Sequence, residues 1–139
     1  MRLTSFTDYG LRALMRMSSE PDRAFSTAEI ADEFGLSRNH LNKIVQHLAR
    51  NGIVATRRGA NGGAMLSRPA NEISLGDLVR LLEHDQALVE CFTPDGACII
   101  SPTCRLKGKL QAAETAFLAE LDRSTLADIA LPVPAPSIA

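Results

Sequence analysis

The chain has 139 residues, 45% of them hydrophobic, and a formal net charge of -1, which suits one globular domain or a small domain with an appendage. The opening MRLTSFTDYG has no apolar signal region, and no apolar run approaches the roughly 20 residues that cross a bilayer. Secretion and membrane spanning are therefore disfavoured, and a cytoplasmic protein is expected.

The near-zero charge hides a division. Residues 1–68 carry ten Lys/Arg against six Asp/Glu, while residues 69–139 carry five against ten. Between Glu33 and Glu72 there is no acid, yet Arg38, Lys43, Arg50, Arg57, Arg58 and Arg68 all fall there. So long an acid-free stretch points to a polyanionic partner more than to a solvated face.

Thr7 is placed to N-cap a first helix, with Asp8 just inside it, where a negative charge suits the helix dipole. Leu11, Leu14, Met15 and Ser18 supply a buried stripe, and Glu20-Pro21-Asp22 ends the helix. A second helix opens with the capping box Ser26-x-x-Glu29, turns Ile30 and Phe34 inward, and closes on Gly35. Ser37 caps the next helix almost at once, which is a helix-turn-helix signature.

The third helix, 38–51, divides by face. Leu41, Ile44, Val45 and Leu48 form its buried stripe. Arg38, Asn39, His40, Asn42, Lys43, Gln46, His47 and Arg50 remain outside, and side chains of these types reach phosphates and base edges. Arg38, Asn39 and His40, nearest the helix start, are the expected base readers. Gly52 ends the helix.

Two strands follow, 53–58 and 64–67, joined through Gly59-Ala60-Asn61-Gly62-Gly63, in which Asn61-Gly62 is a hairpin signal. A hairpin straight after a recognition helix reads as a wing, with Arg57, Arg58 and Asn61 facing DNA. The next helix has Ser74 as N-cap, Asp77 at its third position and an Ile73–Leu78 staple. His84, near its end, suits the negative end of the helix dipole more than a ligand role.

Cys91, Cys98 and Cys104 are the only cysteines, spaced C-x6-C-x5-C in CFTPDGACIISPTC. An odd number of thiols in one loop is poor material for disulfides and good material for a metal centre: zinc, copper(I) or an iron–sulfur cluster. Beyond them Leu106, Leu110, Ala113, Phe117 and Leu121, with Leu118 beside them, mark a long helix. Its stripe exceeds what the small head can cover, so a second copy of the chain is the expected partner. Pro132, Pro134 and Pro136 imply a poorly ordered tail.

The expected architecture is thus mainly α with a small β-hairpin wing. A winged helix-turn-helix head (1–83) precedes a cysteine loop (84–104), a dimerisation helix (105–130) and a disordered tail (131–139). No nucleophile–base pair, HExxH or phosphate loop appears, so an enzyme is not expected.

LTSFTDYGLRALM, SRNHLNKIVQHLARNG, RRGANGG, the three-cysteine loop and the later TLADI resemble the NsrR nitric-oxide-sensing repressors. Those belong to the winged-helix iron–sulfur regulators that include IscR. The resemblance covers about residues 1–128. It implies a homodimer bound to a near-palindromic operator, with recognition helices about one DNA turn apart, roughly 34 Å. It implies that Cys91, Cys98 and Cys104 hold an iron–sulfur cluster, 4Fe–4S more than 2Fe–2S. The fourth ligand would be Asp8 of the other subunit, with Arg12 beside it. Nitrosylation by nitric oxide would break that link and lift repression. IscR-type proteins place a histidine three residues past the last cysteine, where this chain has Lys107, and the Cys91–Cys98 gap is one residue longer than in many relatives. An IscR-like regulator of iron or cluster supply, a zinc-stabilised transcription factor and a clusterless thiol switch are the alternatives.

Overall fold

A computed structural model describes residues 2–60, 62–84, 87–89, 92–96, 99–100 and 103–134. Helix α1 spans Ser5–Ser19 and is capped by Thr4, whose hydroxyl accepts from the Thr7 amide at 3.3 Å. The expected cap, Thr7, lies inside the helix and is fully buried. The cause is tertiary: the Thr4 amide and hydroxyl donate to Glu83 Oε1 at 2.6 and 3.0 Å, which fixes the start earlier.

The buried side of α1 is also turned from expectation. It consists of Thr7, Gly10, Ala13, Leu14, Arg16 and Met17, so only Leu14 of the expected stripe is fully buried. A Cβ on Gly10 would meet the Leu82 methyls at 3.1 Å and Ile44 at 3.3 Å. Such close packing needs small residues, which a search for large apolar ones passes over.

Helix α2 (Thr27–Phe34) is capped by Ser26, which accepts from the Glu29 amide at 3.0 Å. The other half of the expected capping box gives way to an ion pair, because Arg23 takes the Glu29 carboxylate. Gly35 closes the helix in the left-handed region, with φ 66°. Helix α3 (Arg38–Arg50) starts on Ser37 and buries Leu41, Ile44, Val45 and Leu48, as the periodicity predicts.

Strands β1 (Val54–Arg57) and β2 (Gly63–Leu66) pair antiparallel, from Val54 opposite Leu66 to Arg57 opposite Gly63. These bounds lie within one residue of the expected ones. Asn61 falls outside the described residues. A further contact was not foreseen: Phe25, in the α1–α2 connection, exchanges backbone hydrogen bonds with Ala64 at 2.8 and 2.7 Å. Gly63 permits it, because at φ 148° a Cβ there would stand 2.3 Å from the Phe25 carbonyl oxygen.

Helix α4 (Leu75–Leu82) is capped by Ser74, and the staple residues Ile73 and Leu78 are both buried. Helix α5 (Leu106–Asp122) has no fully buried side chain. Leu110, Phe117, Leu118 and Leu121 are half-buried, while Leu106 is 61% exposed. The helix stops at Asp122, short of the expected 130, and the chain turns back onto the head. The Leu75 amide donates to the Ser124 carbonyl at 3.1 Å, the Leu126 amide to Ile73 at 2.9 Å, and the Leu131 amide to Met15 at 3.1 Å. Leu126 is fully buried in the core. The segment expected to end a dimerisation helix therefore belongs to the head, and residue 131, the start of the expected tail, is held.

The core is one cluster, joining Leu14 and Met17 of α1, Ile30 of α2, Leu41, Ile44 and Leu48 of α3, and Leu78 and Leu82 of α4. Among the described residues no helix is long and apolar enough to cross a membrane.

Candidate nucleic-acid interface and cysteine segment

With the apolar stripe of α3 turned inward, Asn39, Asn42, Lys43, Gln46 and Arg50 form one exposed ridge on the opposite side. No acidic side chain lies on this helix. Arg38, exposed at its start, reaches back to Asp32 of α2 at 3.1 Å. Arg57 and Arg58 are exposed at the end of the first wing strand. Amide and cationic side chains on one ridge, with further arginines on the hairpin, are the types that can make both base-edge and phosphate contacts.

The two histidines of α3 take another position. His40 and His47 lie along the flank facing α1 and α4, and both are half-buried. The His40 ring meets Tyr9 edge-on at 5.4 Å and Phe6 at 6.1 Å. His47 Nε2 lies 3.0 Å from the Leu81 carbonyl oxygen, and its ring stacks on His84 at 4.8 Å with 18° between planes. Neither the stack nor the Thr4–Glu83 anchor has a local signature, because each joins residues far apart in the chain.

The cysteine segment leaves α4 past His84. Its turn at Pro94-Asp95-Gly96 forms as the sequence predicts, with the Gly96 amide donating to the Thr93 carbonyl at 3.1 Å. Cys104 is a free, half-buried thiol just before α5. Cys91 and Cys98 lie outside the described residues. Among the described residues no three ligand-type side chains converge. The donor set expected from the sequence, three thiols and a carboxylate, has the chemistry that iron–sulfur clusters accept.

Asp8 projects from the first turn of α1 and is about half exposed. Both its oxygens accept from Arg12, at 3.0 and 2.9 Å, and the Arg12 guanidinium lies 5.6 Å from the Tyr9 ring centroid. The expected neighbour of the cluster site thus holds Asp8 within its own chain.

Ion pairs elsewhere fix the frame. Burial works against the Arg16 charge, but hydrogen bonds to Glu20 and Glu33 outweigh it and raise its pKa. The hydrogen bond from Arg16 holds the Glu20 carboxyl below its usual range. Arg80 does the same to Asp122 across the α4–α5 contact.

Residues 3–131 match the model of the family described as Rrf2, iron-dependent transcriptional regulator. Among solved structures, the oxidized form of Staphylococcus aureus CymR is 31% identical, with 97% of this chain and all of that chain covered and a TM-score of 0.73. CymR of B. subtilis, described as the global cysteine regulator, is 28% identical, with 94% and 96% covered and a TM-score of 0.73. IscR of T. potens is 25% identical, with 93% and 85% covered and a TM-score of 0.74. The wing, the recognition helix and the match over almost the whole chain agree, and the chain belongs to the Rrf2 family of transcriptional regulators.

Proposed function

We propose that this protein is an NsrR-like, iron–sulfur-dependent repressor that binds a near-palindromic operator as a homodimer and is released by nitric oxide. One observation carries the reading: a chain matching a family of iron-dependent regulators has its only three thiols at 91–104, between the DNA-reading head and a helix with no fully buried side chain.

In this reading Cys91, Cys98 and Cys104 hold the cluster, and Asp8 of the partner subunit completes it. Bound there, a 4Fe–4S or 2Fe–2S cluster would supply an iron centre open to nitric oxide. The Asp8 carboxylate accepts one hydrogen bond from Arg12 on each oxygen, which leaves a lone pair on each for a ligand role. The uncovered part of the α5 stripe supports pairing with a second copy, as does Leu106. On the DNA side, Asn39 and Asn42 read base edges while Arg38, Lys43, Arg50, Arg57, Arg58 and Asn61 contact phosphate or groove. His40 and His47 steady the flank of the helix.

A thiol switch is the second reading, favoured by the likeness to a CymR structure solved in an oxidized form and by the free Cys104 thiol. Purification without air, followed by a visible spectrum and a nitric oxide titration against a palindromic duplex, separates the two. Absorbance that bleaches in step with loss of DNA binding is expected. Colourless, iron-free protein whose DNA binding tracks reversible thiol oxidation would establish the switch instead.

A further inference from the structure

The root of the cysteine segment is tied to the head at two neighbouring residues. Glu83 accepts from the amide and hydroxyl of Thr4, the cap of α1. His84 stacks on His47, which lies in the last turn of α3 and is itself held at the Leu81 carbonyl. Phe6 closes the other side, edge-on to His47 at 5.6 Å. The reading helix is therefore seated, through one imidazole stack, on the residues from which the thiol-bearing segment departs.

We infer that His84 is a positioning residue for DNA reading: its stack on His47 transmits the state of the cysteine segment to α3. The inference rests on the sensor reading above. His84 lies outside α3 and is itself exposed, so a change there alters neither a ridge side chain nor a buried core residue. A flat ring of similar size keeps the stack, whereas a methyl group removes it. The coupling that such a tie carries is of the order of 5–150-fold in affinity.

The test uses the full-length protein with its cluster, and a duplex selected by the wild-type protein from random sequence. Affinity is measured for cluster-loaded protein and for protein stripped by chelation under oxidising conditions, in wild type, His84→Ala and His84→Phe. The expected wild-type difference shrinks to less than about one third in His84→Ala. Its visible spectrum and stripped-state affinity stay unchanged, and His84→Phe restores the response. A merely structural role would move the stripped-state affinity or the melting temperature instead. An undiminished response in His84→Ala overturns the inference and leaves the sensor reading intact, and so does a loss that His84→Phe fails to restore. If His84→Ala loses its cluster, His84→Phe with the full wild-type response supports the stack, and without it refutes the stack. A wild-type protein indifferent to stripping overturns the sensor reading and this inference with it.

Discussion

Arg80 and Asp122 bind each other through two hydrogen bonds, 2.7 and 2.8 Å long, and through them α4 holds the end of α5. The Arg80 hydrogen bond is the main reason the Asp122 carboxyl sits below its usual range. A group whose folded pKa is depressed binds fewer protons in the folded state, so its stabilisation is present above the unfolded pKa and is lost as pH falls through the folded one. The α5 end should therefore loosen below about pH 4. Amide exchange across 113–122 should accelerate beyond the intrinsic change as pH falls below about 4, and Asp122→Asn should remove that dependence. Both partners are exposed, so global stability should shift only slightly.

Arg16 is 5% exposed and lies between Glu20 at 2.9 Å and Glu33 at 3.1 Å, its guanidinium 4.7 Å from the Phe25 ring centroid. Arg16→Leu takes the arginine from Glu33 and leaves Glu20 with Arg23. Breaking a fully buried pair costs roughly 3–5 kcal/mol, and about a third of each carboxylate side chain is solvated, so a loss of about 2 kcal/mol is expected. Urea unfolding measures it. Arg16→Lys should fall between, because a lysine cannot span both acids and the ring.

Leu126→Ala should cost about 3 kcal/mol, in the range of buried leucine truncations. It should also free the segment after α5, since Leu126 is the fully buried side chain of that return. Limited proteolysis within 123–131 should accelerate while the α3 amides stay protected. Equal acceleration in both regions would show that the return and the head unfold as one unit.

On the reading ridge, Lys43 and Asn42 should part company. Lys43→Ala should weaken binding to all duplexes alike and lower the salt slope by about one, as the loss of a phosphate contact does. Asn42→Ala should leave the slope unchanged and relax preference at one base pair by about 1–3 kcal/mol. Anisotropy titrations at several salt concentrations separate the two effects.

On the proposed cluster reading, Asp8→Ala should leave operator binding partly intact while changing the rate at which nitric oxide releases the DNA. Stopped-flow nitrosylation with the loaded dimer reads this. Rates indistinguishable from wild type would remove Asp8 from the ligand set. Arg12→Ala, which frees both Asp8 oxygens, is the companion measurement.

Most of the head was legible because its signals are local. Ser26, Ser37 and Ser74 cap the helices that follow them, Gly35 takes the left-handed position, and the α3 stripe faces inward residue for residue. Legibility failed where distant residues decide. Thr4 is the α1 cap because Glu83, remote in sequence, completes it, and the α1 face departs from its apolar pattern because Gly10 packs where a larger residue would not fit. The dimerisation helix expected to reach 130 ends at Asp122, because Leu126 is drawn into the core of the head. Of the candidate site, the basic ridge was visible as side-chain chemistry. The inward flank that seats His40 and His47 was not, since Phe6, Tyr9 and His84 reach it from other elements.

The Phe25–Ala64 bridge fastens the hairpin close to its loop end, where Ala64 pairs with Thr56, and the connection between Arg57 and Gly63 lies beyond the paired strands. Lengthening or shortening that five-residue span would alter how far the arginine-bearing finger extends along a duplex without disturbing how the head assembles. Reach and architecture are thereby separable, and operator preference can drift by insertion or deletion in one short span while the rest of the molecule stays as it is.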